Sequence, residues 1–174
     1  MKDLVRLKTS LSEEIEILLN EQIKLEAKSS ATYLAMASWC DRNGYENSAT
    51  FFYKQSDEER AHMLKIFKYI NDMGGTAISP EISALPTDFT SFRGVFEDAL
   101  SQEVSVTQSL NRIAAKCQSV QDYTTFGLMS WFLNEQVEEE FIARRCLELF
   151  EIIGEAGDGK FLIDKHIADV KYEQ

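Results

Sequence analysis

The stretch GGTAISPEISALPTDFT, residues 74–90, decides how this chain can fold. It contains both prolines of the chain, and its apolar residues follow no helical period. A connection this long is uncommon in a compact domain unless it has a task. Fully extended, it reaches about 55–60 Å, which exceeds the length of about 42 Å that a helix of roughly 28 residues has. We therefore predict that it runs from one end of a helical bundle to the other.

The rest of the chain divides into four long helical segments and one short one. Breakers are sparse, because the whole sequence has two prolines and eight glycines. Ser10 or Ser12 can cap the first helix, and Thr90 or Ser91 can cap the third. The predicted helices span 11–39, 46–73, 91–117, 121–153 and 160–170.

The lengths of the connections predict the topology. Short turns join the first helix to the second and the third to the fourth, so each pair should form an antiparallel hairpin. The long connection then makes the second and third helices parallel. We predict an all-α fold: a four-helix bundle with one long crossover loop and a short fifth C-terminal helix, in a single domain over residues 1–174.

Charge and cysteine content exclude several classes of function. The net charge of −11 argues against a nucleic-acid partner. No apolar stretch approaches the length of a membrane span, and MKDLVRLKTSLSEEIEILL reaches acidic residues too early for a signal peptide. Cys40, Cys117 and Cys146 form no CxxC pair, which disfavours a cysteine-based zinc or rubredoxin-type site. We expect reduced thiols, a cytoplasmic location and no membrane partner.

Each of the four long helices carries a glutamate among apolar neighbours. Residues seven apart lie on nearly one line along a helix, with a drift of about 20°. Glu59 shares such a line with Phe52 and Ile66, whereas Glu58 lies nearer the edge, and His62 is on the same side as Glu59. The glutamates in equivalent surroundings on the other helices are Glu26, Glu103 and Glu139. Four buried carboxylates would repel one another or take up protons unless cations held them.

An internal repeat supports this choice. Glu26 precedes Glu59 by 33 residues, and Glu103 precedes Gln136 by the same 33, so the second set is the first shifted by 77. Glutamates from two helices, together with Glu-x-x-His motifs from the other two, form a di-iron carboxylate site. The intact motif is Glu59-x-x-His62, and the degraded one is Gln136-x-x-Glu139.

The fourth helix leaves the choice of glutamate open. It is apolar nearly all round, and its segment NEQVEEEF contains Glu135, Glu138, Glu139 and Glu140. Periodicity does not choose among them. Only the 77-residue repeat favours Glu139.

Several stretches resemble the bacterial non-haem ferritins in order and spacing, and the resemblance covers essentially the whole chain. They are NEQIKLEAKSSATYLAMASWC, ATFFYKQSDEERAHM, QDYTTFGLMSWFLNEQVEEE and FLIDKHIADV. The fold that this family implies is the ferritin-like bundle.

The resemblance also implies a role for each polar residue. One iron position, site A, takes Glu26, Glu59 and His62. The second, site B, takes Glu103 and Glu139, with Glu59 bridging and Gln136 close by. A third iron position takes Glu58, Glu135 and Glu138, with Glu139 shared. Tyr33 matches the tyrosine beside the centre, where it acts either in redox chemistry or as a core aromatic with a bonded hydroxyl.

The implied function is iron storage with ferroxidase activity. In such a protein O₂ or H₂O₂ oxidises Fe²⁺ at the di-iron centre, and a hollow shell of 24 subunits stores the ferric mineral. We expect no haem, because Arg60 follows Glu59 where bacterioferritin has a haem-binding methionine. The alternatives are another di-iron carboxylate oxidase or peroxidase, bacterioferritin-like or rubrerythrin-like, and a helical binding module without metal.

Overall fold

A computed structural model describes residues 8–172 of the chain. Within this range there are five helices and no strand: α1 (Glu13–Arg42), α2 (Glu46–Asp72), α3 (Phe92–Ser119), α4 (Tyr123–Ile153) and α5 (Gly159–Ile167). None of the described helices is both long and apolar enough to cross a membrane. Residues 1–7, on which the signal-peptide expectation partly rests, lie outside the described range, as do residues 173–174.

The predicted helices are all present, and their ends differ by a few residues. α1 continues to Arg42 because the residue that stops it is Gly44, which has a φ of +80° that other residues rarely adopt. The N–H of Tyr45 then bonds back to the carbonyl of Cys40, as in a helix-ending Schellman turn. α5 ends at Ile167, three residues early, because the chain beyond it forms tighter turns instead.

Side-chain caps fix the start of three helices. Ser12, Ser91 and Asp122 each accept a hydrogen bond from the backbone N–H three residues later. Such bonds satisfy N–H groups that have no partner inside the helix. Of the alternatives that the sequence left open, the structure selects Ser12 and Ser91.

The start of α2 is capped from a distance. Its own cap residue, Tyr45, makes no side-chain cap bond. Instead Asp164 of α5 accepts bonds at Oδ1 from the Ser48 N–H (2.9 Å) and hydroxyl (2.7 Å), and at Oδ2 from the Asn47 N–H (3.2 Å) and amide (3.0 Å). A carboxylate at a helix N-terminus is favoured by the helix dipole. This contact attaches the short fifth helix to the bundle.

The crossover runs the length of α1, as predicted. At one end Asn20 donates to the Thr76 carbonyl (3.1 Å) and accepts from the Ile78 N–H (2.8 Å). At the other end Arg42 donates to the carbonyl of Thr87. α1 packs against both α2 and α3, and α3 packs against α4.

Contacts between α1 and α3 give the direction of the helices. Lys116 pairs with Glu14 (2.6 Å), whereas Tyr33 meets Glu103, so α3 runs antiparallel to α1. Since α2 is also antiparallel to α1, α2 and α3 are parallel. The four-helix bundle with one crossover and a short fifth helix is thus confirmed.

A polar layer divides the core into two parts. The aromatic core lies next to α5 and includes Tyr33, Phe52, Phe92, Phe96 and Phe150. The aliphatic core lies towards the other end and includes Leu19, Ile23, Ile66, Ile70 and Leu110. On every long helix the glutamate that the sequence selected lies between residues of these two cores.

Candidate metal centre

The structure buries all six residues that the sequence predicted for sites A and B. They are Glu26, Glu59, His62, Glu103, Gln136 and Glu139, and each is at most 4% exposed. Burying that many acidic groups is costly unless they are paired or hold a cation. The layer therefore needs either protons or metal ions.

The α1–α2 half of the layer contains a compact group of ligand atoms. Glu26, Glu59 and His62 each offer one atom within 4.8 Å of the other two, and His62 Nδ1 lies 3.8 Å from Glu59 Oε2. The Oε2 atoms of Glu26 and Glu59 are buried and have no hydrogen-bond partner within the described residues. Carboxylate oxygens and an imidazole nitrogen suit iron and related divalent metals. The donor set and its unpartnered oxygens fit such an ion.

A pair of serines holds the two helices of this half together. Ser30 and Ser56 lie one turn from Glu26 and Glu59 respectively. The Ser56 hydroxyl donates to the Ser30 carbonyl (2.8 Å), and the Ser30 hydroxyl donates to the Ser56 carbonyl (2.7 Å). Side chains this small allow close approach, and the reciprocal bonds fix the register of the two glutamates.

The α3–α4 half is organised by hydrogen bonds instead. The Tyr33 hydroxyl donates to Glu103 Oε1, and Gln136 Nε2 donates to Glu103 Oε2 (3.2 Å). Gln136 Nε2 also donates to the Thr107 hydroxyl (3.1 Å). Glu139 Oε2, in contrast, is buried without a partner in the described part of the chain. No third ligand joins Glu103 and Glu139 in a close group among the described residues.

Burial shifts the ionisation of every carboxyl in the layer. It raises the pKa of Glu26 well above its ordinary value, and the neighbouring charge of Glu59 raises it further. Burial likewise raises the pKa of Glu59 well above its usual range, and the charges of Glu103 and Glu139 raise it further. The pKa of Glu103 is raised to about 7 and that of Glu139 to about 9, in both cases chiefly by burial. Without metal, the layer holds protons at neutral pH.

Tyr33 lies inside the layer and against the aromatic core. Its ring stacks on Phe52 with centroids 5.8 Å apart. Burial and the charge of Glu103 raise its pKa above the ordinary value, so the phenol keeps its proton. The hydroxyl is bonded, as expected of a core aromatic, and it contacts a predicted ligand; a redox role for Tyr33 stays a prediction.

A second close group lies on the outer side of His62. Glu58, His62 and Glu135 offer atoms within 4.8 Å of one another. Glu58 is exposed, and Glu135 and Glu138 are half-buried. The resemblance implied Glu138 as a ligand beside Glu58 and Glu135, and the close group in the structure includes His62. Glu138 lies close to this group: burial raises its pKa, and the charges of Glu135 and Glu58 raise it further.

On α4 the structure buries the glutamate that the repeat favoured. Glu139 is buried, whereas Glu135, Glu138 and Glu140 are not. Glu140 accepts a bond from the Thr107 hydroxyl (2.8 Å) and pairs with Arg144 (2.7 Å). Its polar partners explain how it can lie on an otherwise apolar helix.

Sequence reasoning missed the residues that support the ligands. Gln22 donates to Glu26 Oε1 (2.8 Å) and accepts from the Ser109 hydroxyl (2.6 Å). The spacing of Gln22 and Glu26, four residues along one helix face, could have revealed the first bond. Nothing local in the sequence indicates the second, because Ser109 lies on another helix.

Comparison with known proteins agrees with this geometry. Residues 17–153 match the family described as "Ferritin-like domain". The chain is 37% identical over 160 residues to a "probable bacterial non-heme ferritin-like protein" of Haemophilus influenzae, covering 92% of this chain and 97% of that protein. It is 37% identical over 164 residues to the "bacterial non-heme ferritin" of Staphylococcus saprophyticus, covering 94% and 98%.

A solved structure is similar over a comparable share of the chain. The open-pore ferritin of Archaeoglobus fulgidus superposes with a TM-score of 0.88 at 30% identity, over 91% of this chain and 97% of that one. These similarities span nearly the full length of each protein. The chain therefore belongs to the ferritin family, as its resemblance to the bacterial non-haem ferritins predicted, and this membership supports iron storage as its broad function.

Proposed function

We propose that the chain is an iron-storage protein with ferroxidase activity, which oxidises Fe²⁺ in the polar layer of each subunit. One observation carries the proposal: the buried group of Glu26, Glu59 and His62, with two carboxylate oxygens that have no hydrogen-bond partner in the described chain. A cytoplasmic location of the chain stays a prediction.

Fe²⁺ is the substrate, and the side chains supply its binding positions. Glu26, Glu59 and His62 bind the first ion, whereas Glu103 and Glu139 bind the second and share Glu59 with the first. Anionic oxygen ligands stabilise Fe³⁺ more than Fe²⁺, so the layer favours loss of electrons. Two Fe²⁺ ions give one electron each, and O₂ takes up both with two protons to form H₂O₂. With H₂O₂ as oxidant, the same two electrons and two protons yield two water molecules.

The protein's own groups handle position and protons. Tyr33 and Gln136 hold Glu103 by both oxygens. The carboxyls that are protonated in the metal-free layer release protons as metal binds. The aromatic core closes one side of the layer to water. The outer group of Glu58 and Glu135, with Glu138 nearby, offers the oxidised iron a third position closer to the surface.

Storage requires an assembly that can enclose a mineral. Large apolar side chains are exposed on the isolated chain, among them Ile78, Ile152 and Phe161. Surface of this kind favours association. We propose a homo-oligomeric shell, with 24 subunits as the resemblance implies.

Three measurements test the proposal. Crystals soaked anaerobically in Fe²⁺ should give anomalous peaks between Glu26, Glu59 and His62. In solution, the purified chain should consume O₂ or H₂O₂ as Fe²⁺ disappears, and light scattering should give the mass of a large shell. A chain that stays monomeric, or that oxidises Fe²⁺ no faster than buffer, would overturn the proposal.

A further inference from the structure

Gln22 occupies an unusual place for a glutamine. It is fully buried on α1, one turn before Glu26 and at the border of the aliphatic core. Both ends of its amide are bonded: Nε2 donates to Glu26 Oε1 (2.8 Å), and Oε1 accepts from the Ser109 hydroxyl (2.6 Å). Ser109 lies on α3 and lines a surface pocket between α1 and α3.

We propose that Gln22, oriented by Ser109, is a positioning residue that presents a single oxygen of Glu26 to the metal bound at site A. This inference rests on the proposed function. It concerns how a ligand is held, and it adds a glutamine and a serine to the residues that control the centre.

Bonds at both ends fix the orientation of the Gln22 amide between Glu26 and Ser109. A glutamine amide can turn over and exchange its oxygen for its nitrogen. The amide nitrogen donates to Glu26, which only accepts when it is ionised, and the Ser109 hydroxyl donates to the amide oxygen at the other end. In the reverse orientation two oxygen acceptors would face each other when Glu26 is ionised.

The bond from Gln22 in turn decides which oxygen of Glu26 is available. Oε1 accepts the amide proton, whereas Oε2 is buried and has no partner within the described residues. Oε2 is therefore the oxygen free to bind a metal beside Glu59 and His62. Outer hydrogen bonds of this kind orient metal ligands in general.

The same bonds tie a ligand of the first helix to the third. Glu26 is bonded to Gln22 on its own helix, and Gln22 is held to α3 by Ser109, so the Glu26 carboxylate cannot rotate without breaking its bond to an amide that is fixed from α3. Glu103 is held differently, by donors on both oxygens. A change at Gln22 should thus affect site A and leave site B unaltered, whereas a merely structural role would weaken both sites together.

The test measures Co²⁺ binding to the full chain, both by calorimetry and by the visible absorption of the bound ion. Gln22→Leu removes the donor and introduces an apolar side chain of similar size. We expect the affinity of site A to fall about 10- to 100-fold, as for other outer-sphere changes, while the affinity of site B is kept. Adding Glu139→Gln, which impairs site B, should then leave no tight site. In Fe²⁺ oxidation the half-saturating concentration should rise more than the maximal rate falls.

Matched controls separate position from folding. Gln102→Leu is the same substitution at a glutamine whose buried Nε2 has no hydrogen-bond partner among the described residues, and it should bind Co²⁺ like the native chain. Ser109→Ala, at a half-buried position, should shift site A in the same direction by less than Gln22→Leu. Ser109→Thr keeps the hydroxyl and should restore native binding. Ser105→Ala, at an exposed position on the same helix, should change nothing.

The outcomes are distinct. Native Co²⁺ affinity at site A in both Gln22→Leu and Ser109→Ala would overturn the inference, as would equal losses at the two sites. If the native chain itself shows no tight Co²⁺ site and no Fe²⁺ oxidation, the proposed function fails instead. If Gln22→Leu does not assemble, Ser109→Ala and its threonine rescue decide the question alone.

Discussion

The two halves of the polar layer come from one repeat, yet they are prepared for metal in opposite ways. The α1–α2 half presents two unpartnered oxygens and an imidazole within reach of one another. In the α3–α4 half, Glu103 already accepts bonds from Tyr33 and Gln136. In the first half, one oxygen of each glutamate has no hydrogen-bond partner within the described residues. In the second half, neutral donors already bond to both oxygens of Glu103.

The pKa values within the second half show what those donors do. Burial raises the pKa of both carboxyls, but hydrogen bonds from Tyr33 and Gln136 lower that of Glu103, which reaches about 7. Glu139 has no such donors, and the charges of Glu103 and Glu58 raise its pKa to about 9. Replacement of a glutamate by Gln136 thus removes a repelling charge and adds a donor. The degraded motif therefore favours the ionised form of Glu103, because Gln136 donates a hydrogen bond where a glutamate would repel it.

Removing the shared ligand should have the largest effect. Glu59 is the one residue proposed to bind both ions, so Glu59→Ala should reduce Fe²⁺ oxidation to the rate in buffer, measured by O₂ uptake. The shell should still assemble, and the metal-free protein should become more stable because one buried carboxyl is gone. Asp57→Ala, at an exposed neighbouring position, should retain the native rate. A native initial rate in Glu59→Ala would show that the two halves do not share this ligand.

The second largest effect should be the change of the free energy of unfolding with pH, measured by urea unfolding of chelator-treated protein. Folding raises the pKa of Glu103 from 4.5 to about 7 and that of Glu139 from 4.5 to about 9. A raised pKa contributes stability that is complete below pH 4.5 and is lost as the pH rises through the folded value. The metal-free protein should therefore lose several kcal/mol between about pH 5 and pH 9, and Co²⁺ should reduce the loss.

A variant assigns this loss to its source. Glu139→Gln should remove the share of the loss that Glu139 contributes between about pH 4.5 and pH 9. The shares due to Glu103, up to about pH 7, and to Glu26 and Glu59 should remain. Stability that is constant or increases up to pH 9 in the metal-free native chain would contradict the shifts of both carboxyls.

Restoring the repeat tests the asymmetry directly. In the native chain, site A should fill first under limiting Fe²⁺, with site B only partly occupied in anomalous diffraction. The double variant Gln136→Glu with Glu139→His gives the second half the residues of the first, and it should bind iron at both sites with similar occupancy. Turnover should slow after the first irons are oxidised, because they leave less readily. Two equally filled sites in the native chain, or a variant that mineralises iron at the native rate, would break the comparison.

The smallest change is Tyr33→Phe, which removes one donor from Glu103 and keeps the aromatic ring. If the hydroxyl only positions Glu103, Co²⁺ affinity at site B should fall about 10-fold, and the maximal oxidation rate should follow occupancy. If Tyr33 also takes part in electron transfer, the rate at saturating Fe²⁺ should fall while the affinity is kept. Phe52→Leu, which changes the stacking partner, should leave the affinity of site B intact.

The sequence determined the features that depend on local periodicity. Two prolines in one long connection, and glycines such as Gly44 and Gly74 at helix ends, set the number and length of the helices. The heptad line through Glu59 and the repeat that selects Glu139 placed the glutamates in the core, where the structure also buries them. These signals lie in the sequence because a helix has a fixed period and the bundle repeats its hairpin.

Only the tertiary structure decided which groups bond to one another across the bundle. Asp164 caps α2 over a separation of 116 residues, and Ser109 orients Gln22 over 87. The Tyr33 hydroxyl reaches Glu103 over 70 residues, and His62 lies in a close group with Glu58 and Glu135, for which the resemblance had implied Glu138. A hydrogen bond depends on distances of a few tenths of an ångström and on donor direction. Helical period fixes the face on which a side chain lies, whereas its partner is set by the packing of helices far apart in the chain.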